Sequence, residues 1–139
     1  MLKRLIVQLS LLADYGLMAL RVMMGIILTY HGWLKITELG FAVGFFEKEG
    51  IPLPTVTGPF ISMLEFIGGL ALIVGLFVRY LGTLFVIQFI VAVYVQWVVL
   101  NTGYMGSRLA LLVLFGVVML STNGGGALSL DRVFKRWEP

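Results

Sequence analysis

PFISMLEFIGGLALIVGLF, residues Pro59 to Phe77, is apolar enough to dissolve in lipid yet carries a carboxylate, Glu65. A run of this length reads as a membrane-spanning helix, because about 20 residues at roughly 1.5 Å each cross the hydrocarbon core. A carboxylate inside such a run is costly, and persists where it faces protein or a cavity and has a partner. At helical spacing Ser62, Glu65, Gly68, Gly69, Leu72 and Gly75 fall close to one stripe. Small residues allow close helix approach in lipid, so this stripe is expected to turn Glu65 toward another helix.

The rest of the chain calls for the same solvent. Of its 139 residues 60% are hydrophobic and 12% charged, about half the charge of an ordinary soluble domain. The expectation is an all-α, single-domain integral membrane protein over residues 1–139. Cysteine is absent, which excludes disulfides and thiolate-bound metals or clusters within the chain, and a lone histidine, His31, excludes a multi-histidine metal site. The net charge of +3 comes from basic residues beside apolar runs, which reads as membrane topology and not as nucleic-acid binding.

Outward from the Glu65 segment the pattern gives four spans, at about 15–33, 59–77, 81–100 and 104–120. The apolar run Leu5 to Leu12 precedes the first as an interfacial segment or helical lead-in. No cleavage site of small residues follows it, so retention is expected. Arg21, Gly25 and Thr29 share one face of the first span. The long loop 34–58 holds Phe41 and Phe45 among Glu38, Glu47, Lys48 and Glu49, the pattern of a short interfacial helix, and Gly50, Pro52 and Pro54 end it. Tyr30, Trp33, Tyr80 and Trp97 suit membrane–water interfaces. Lys3, Arg4, Arg79, Arg132, Lys135 and Arg136 fall on one side and only Lys35 and Lys48 on the other, so both termini are expected in the cytoplasm.

Depth along the spans then suggests partners. Glu65 lies about 9 Å inside the outer end of its span and Arg21 about as far inside the inner end of its own. In a core about 30 Å thick this leaves roughly 12 Å between their backbones. Arg108, about 6 Å deep from the outer side, is the expected partner of Glu65, with Gln96 alongside. His31, Trp33 and Trp97 would rim that outer pocket, and Arg21 and Gln88 would form a separate inner polar cluster. A purely structural reading stands beside this one: an ion pair that fixes helix register, glutamines that hydrogen-bond between helices, a snorkelling Arg21 and an interfacial His31.

Four motifs in order resemble the DoxX family: His31-Gly32-Trp33 with Lys35, Gly50-Ile51-Pro52-Leu53-Pro54, Glu65 with Gly68-Gly69, Gly75 and Arg79, and Gly126-Ala127-Leu128-Ser129-Leu130-Asp131. The resemblance runs from about Leu17 to Asp131. It implies a four-helix membrane protein of a family named for a subunit of thiosulfate:quinone oxidoreductase, other members being associated with quinone, catechol or oxidative-stress redox systems. Members often carry a histidine near the end of the third helix, where this chain has Gln96 and Trp97.

Three functions are open on this reading. One is a subunit of a quinone-linked or other redox complex in a bacterial or archaeal cytoplasmic (inner) membrane, docking quinone or anchoring a redox partner. Its pocket would be Glu65, Arg108, Gln96, His31, Trp33 and Trp97, with no covalent cofactor and no metal. The second is a non-catalytic scaffold, and the third a small-molecule or proton carrier, for which no internal repeat is found. Expected partners are membrane lipid, other membrane or peripheral redox subunits, and copies of itself.

Overall fold

The computed structural model describes residues 1–135; Arg136 and Trp137 of the tail lie outside them. Every regular element among the described residues is helical. In order they are α1 (Leu2–Thr37), α2 (Leu39–Lys48), α3 (Pro54–Val74), α4 (Val78–Tyr94, continued by a π-helical turn Val95–Val99), α5 (Gly103–Asn123) and α6 (Leu130–Lys135). Four stretches are long and apolar enough to span a membrane: Gln8–Thr37, Pro54–Val74, Val78–Val99 and Gly103–Asn123. The chain is an all-α integral membrane protein with a bundle of four spans.

The helix ends follow from local chemistry. Leu5 to Leu12 continues into the first span without a break, because no helix breaker intervenes before Thr37. α3 begins at Pro54, where proline is tolerated in a first turn, and runs through Pro59. It ends at Gly75, whose φ of +82° closes a Schellman turn: the Leu76 N–H donates to Ala71 O and the Gly75 N–H to Leu72 O. Arg79 therefore sits in the first turn of α4 and not in a connecting turn. The N–H groups of Phe77 and Val78, free at the start of α4, donate to the Asp131 carboxylate at 2.7 and 2.8 Å, so the tail supplies the cap that α4 lacks locally.

Packing is dominated by two antiparallel pairs, α1 against α3 and α4 against α5, with lighter contact between the pairs. The α1 stripe Arg21, Gly25, Leu28, Gly32 and Lys35 repeats at spacings of four and three, and faces the α3 stripe Ser62, Glu65, Gly69 and Leu72. Backbones meet at the glycines. A Cβ on Gly69 would lie 2.6 Å from the Thr29 N, and one on Gly32 would strike the Phe66 backbone. Gly82 meets Ser121 in the same way between α4 and α5. Above and below these approaches Met24, Leu28, Leu72, Phe85, Val113, Val117 and Leu120 fill the common core. α2 lies in the first loop, Val43 against Gly58 of α3.

The tail closes one end of the bundle. Ala127 N–H donates to Asp14 O at 3.0 Å, Arg132 pairs with the Asp14 carboxylate at 3.0 Å, and Asp131 N–H donates to Gly75 O. The opposite end carries α2 and the last turn of α1.

Gly69→Ala should push α1 and α3 apart and cost about 1–3 kcal/mol, the usual range for overpacking a tight contact. Thermal unfolding in detergent should register this, while Gly16→Ala, with nothing within 4 Å of the added methyl, should melt like the native chain.

Candidate functional site

The site grows from the point where α1 and α3 come closest. Gly32 leaves the Glu65 region open to α1, and Lys35 lies three residues further along the same stripe. Its ammonium reaches back to both oxygens of Glu65, at 2.7 and 2.8 Å. From α4, Phe85 packs on Gly68 and Gln88 follows three residues later on the same face, where its Nε2 donates to Glu65 Oε1 at 2.5 Å. One carboxylate thus ties three helices together.

Burial makes this network costly to break. The Glu65 side chain is 3% exposed and that of Lys35 28%, so the pair has a sealed end and an open one. The capacity left over lies at named atoms. Two of the three ammonium protons are used. Gln88 Oε1 is buried with no donor, and so is the Thr29 hydroxyl oxygen at the α1–α3 contact. Buried polar atoms without partners are uncommon and call for an explanation.

Glu49, at the end of α2, adds a second carboxylate to the same end. Burial raises its pKa above the ordinary glutamate range, and the positive charge of Lys35 opposes that rise only in part. Lys35 thus binds one sealed carboxylate and acts electrostatically on a second that holds its proton more tightly than usual.

The structure revises the expected pairing. The cation on Glu65 is Lys35 and not Arg108, which is exposed and has no partner among the described residues. Gln88 belongs to the Glu65 network and not to an inner cluster with Arg21. Arg21 is buried at the other end, where its guanidinium donates to the carbonyls of Gly125 and Leu128 at 2.9 and 3.4 Å. Trp33 packs against Phe66, the neighbour of Glu65, with ring centroids 5.8 Å apart. His31 is half-buried one turn before Lys35 and meets Tyr30 edge to face. Gln96 lies in the π-helical turn with its Oε1 buried and without a donor, and Trp97 beside it is exposed. Neither hydrogen-bonds to the Glu65 network.

The expected first span, 15–33, stops short of Lys35 and leaves it in the loop 34–58, whereas α1 carries it to Thr37. The available signal was the stripe itself: Gly25, Leu28, Gly32 and Lys35 keep one face through Thr37.

The DoxX family model matches residues 16–100, which include Lys35, Glu65 and Gln88. The chain belongs to the DoxX family. It is 34% identical over 124 residues to "Putative oxidoreductase CatD" of Bacillus subtilis (strain 168), covering 88% of this chain and 90% of that one. It is 30% identical over 139 aligned positions to "Inner membrane protein YqjF" of Escherichia coli (strain K12), covering 91% and 98%. No solved structure matches it. Four spans and the inner-membrane relative place this DoxX protein among the integral proteins of the bacterial inner membrane.

Removing one partner of a buried pair strands the other, at a cost of about 3–5 kcal/mol. Lys35→Met should show that loss in chemical or thermal unfolding, and adding Glu65→Met should recover much of it.

For Glu49 the sign follows from the raised pKa. The stability it contributes is present below its unfolded pKa and is lost as pH rises through the folded one. Glu49→Gln should therefore melt higher than the native chain at about pH 8 and level with it at about pH 4.

Proposed function

We propose that this DoxX protein is a membrane subunit of a redox system, and that the Lys35–Glu65–Gln88 network docks a quinone ring. The observation that carries the reading is the spare hydrogen-bonding capacity of a buried charge network: an ammonium with a free proton on its open side and a glutamine oxygen with no donor. The oxidoreductase name of the Bacillus subtilis relative agrees with it.

The residues fit such a ring. Lys35 Nζ would donate to a ring carbonyl, and Gln88 Oε1 would accept from a ring hydroxyl. Trp33 and Phe66 offer apolar surface beside Glu65. A quinone would supply reversible uptake of electrons and protons. The chain's part would be to orient the ring, keep water from Glu65 and hold protons at Lys35 Nζ and the Glu49 carboxyl. Electrons would come from a partner subunit, since the chain has no cysteine and one histidine with which to hold a redox centre.

A scaffold role has a specific observation in its favour, because the same network joins α1, α3 and α4. The two readings separate on variants that keep the fold. The chain would be purified at native level from its own membrane, and its extractable quinone and co-purifying proteins identified by mass spectrometry. Docking predicts near-stoichiometric quinone in the native protein, falling at least about tenfold in a Lys35→Gln/Glu65→Gln pair whose melting stays close to native. Equal quinone in both proteins, or none in either, would defeat the docking reading.

A further inference from the structure

The end of the bundle away from Lys35 carries a second polar site, independent of the redox reading. The turn from α3 to α4 and the tail from α5 to α6 enclose an open cleft of about 1100 Å³. Glycine backbone, Gly124 to Gly126, forms part of its lining, together with the rings of Phe77, Tyr80 and Phe134 and the guanidiniums of Arg79 and Arg132. The rings are exposed, at 58%, 75% and 60%.

Charge at this end is unevenly matched. Asp131 gives both carboxylate oxygens to the backbone N–H groups of Phe77 and Val78, and Asp14 is engaged by Arg132. Arg21 lies buried beneath the glycine turn, its two terminal nitrogens donating to the Gly125 and Leu128 carbonyls and its Nε without a partner. Arg79 lies against Gly124, is exposed, and has no carboxylate or carbonyl partner among the described residues. Three guanidiniums thus surround two carboxylates that are already committed, and the cleft presents uncompensated positive charge on its open side.

Depth selects the occupant. Arg79 is the second residue of the span Val78–Val99, and Asn123, also in the lining, is the last of Gly103–Asn123. The cleft therefore sits where the apolar spans end, the level of lipid phosphates and of aromatic belts. A soluble anion would neutralise Arg79 and leave Phe77 and Phe134 in contact with water. A phospholipid satisfies both halves: its phosphate accepts charge-assisted hydrogen bonds from Arg79 while its glycerol and first acyl carbons cover the rings. We propose that this cleft is a headgroup site for an anionic phospholipid, with Arg79 as its phosphate ligand and Arg132, held by Asp14, as the second wall of charge.

The test uses the full chain in mixed micelles containing equal phosphatidylglycerol and phosphatidylcholine, with retained lipid counted by native mass spectrometry. One phosphatidylglycerol per chain is expected in preference to phosphatidylcholine. Arg79→Gln should lower its retention about fivefold, the usual effect of one basic residue near an anionic surface. Arg4→Gln, exposed and outside the cleft lining, removes the same charge and should leave retention unchanged. Both variants change exposed side chains, and unaltered melting curves would verify their folds. Equal losses in the two variants, or equal retention of the two lipids, would overturn the site. So would inorganic phosphate that stabilises the chain through Arg79 as strongly as phosphatidylglycerol does, since the occupant would then be a soluble anion.

Discussion

A carboxylate enclosed by three apolar helices constrains everything around it. A buried carboxylate needs polar partners, and those of Glu65 arrive from other helices: Lys35 from α1 and Gln88 from α4. That requirement fixes the axial register of α3 against each neighbour. Slide α1 by one residue and Lys35 rotates off the shared face, as the spacing of three and four along a helix demands. Glycines make the reach possible. Gly32 and Gly69 let α1 come close enough for a lysine to serve as counter-ion, and Gly68 admits the Phe85 ring one turn from Gln88. Dispersion and close packing hold helices together in lipid, where apolar surface has little reason to prefer protein over acyl chains. The polar network adds specificity of register to that packing.

Two buried charges stand at opposite ends of the bundle and are satisfied in different ways. The Arg21 guanidinium is held by carbonyls of the tail, Gly125 and Leu128, and feels the Asp131 carboxylate, which itself caps α4. Its partners are backbone atoms fixed by the turn, and Gly126 lies so close to Asp14 O and Met18 N that a side chain there has no room. These contacts of Arg21 close the turn onto α1. Glu65 is held by side chains, which retain rotamer freedom and unused donors and acceptors.

The four spans were readable because apolar length alone identifies them, and the Glu65 stripe was readable because small residues recur at helical spacing. The tail motif ending in Asp131 was visible as a motif, but its work as a remote cap for α4 depends on where the chain returns in space. The partner of Glu65 was misplaced for a definable reason. Depth along the spans separates Arg21 from Glu65, but with a first span of 15–33 the nearest cation at the level of Glu65 is Arg108 and Lys35 lies outside the membrane. An interfacial lysine is ambiguous from sequence, since its flexible stem can place the charge several ångströms from its backbone in either direction. Gln88 was assigned inward by the same arithmetic, which cannot see that Phe85 docks on Gly68 and sets the height of α4.

The distribution of polar atoms along the bundle bears on what the site can do. Lys35 lies in the last turns of α1 and reaches Glu65 from that end, where its charge also acts on Glu49. Beyond Glu65 toward the tail, the interior is Leu28, Leu72, Phe85, Val113, Val117 and Leu120, all buried and apolar, before Arg21 is met. Thr29 Oγ1 is a buried polar atom on that side, and a single hydroxyl does not make a chain of donors and acceptors. A proton or polar solute crossing the bundle would have to traverse this packed layer without partners, at a cost of several kcal/mol for each unsatisfied group. At the other end the Lys35 side chain keeps 28% of its surface exposed while Glu65 beneath it is sealed. The asymmetry leaves the network one partly open side, at the Lys35 ammonium, and a closed apolar layer on the other.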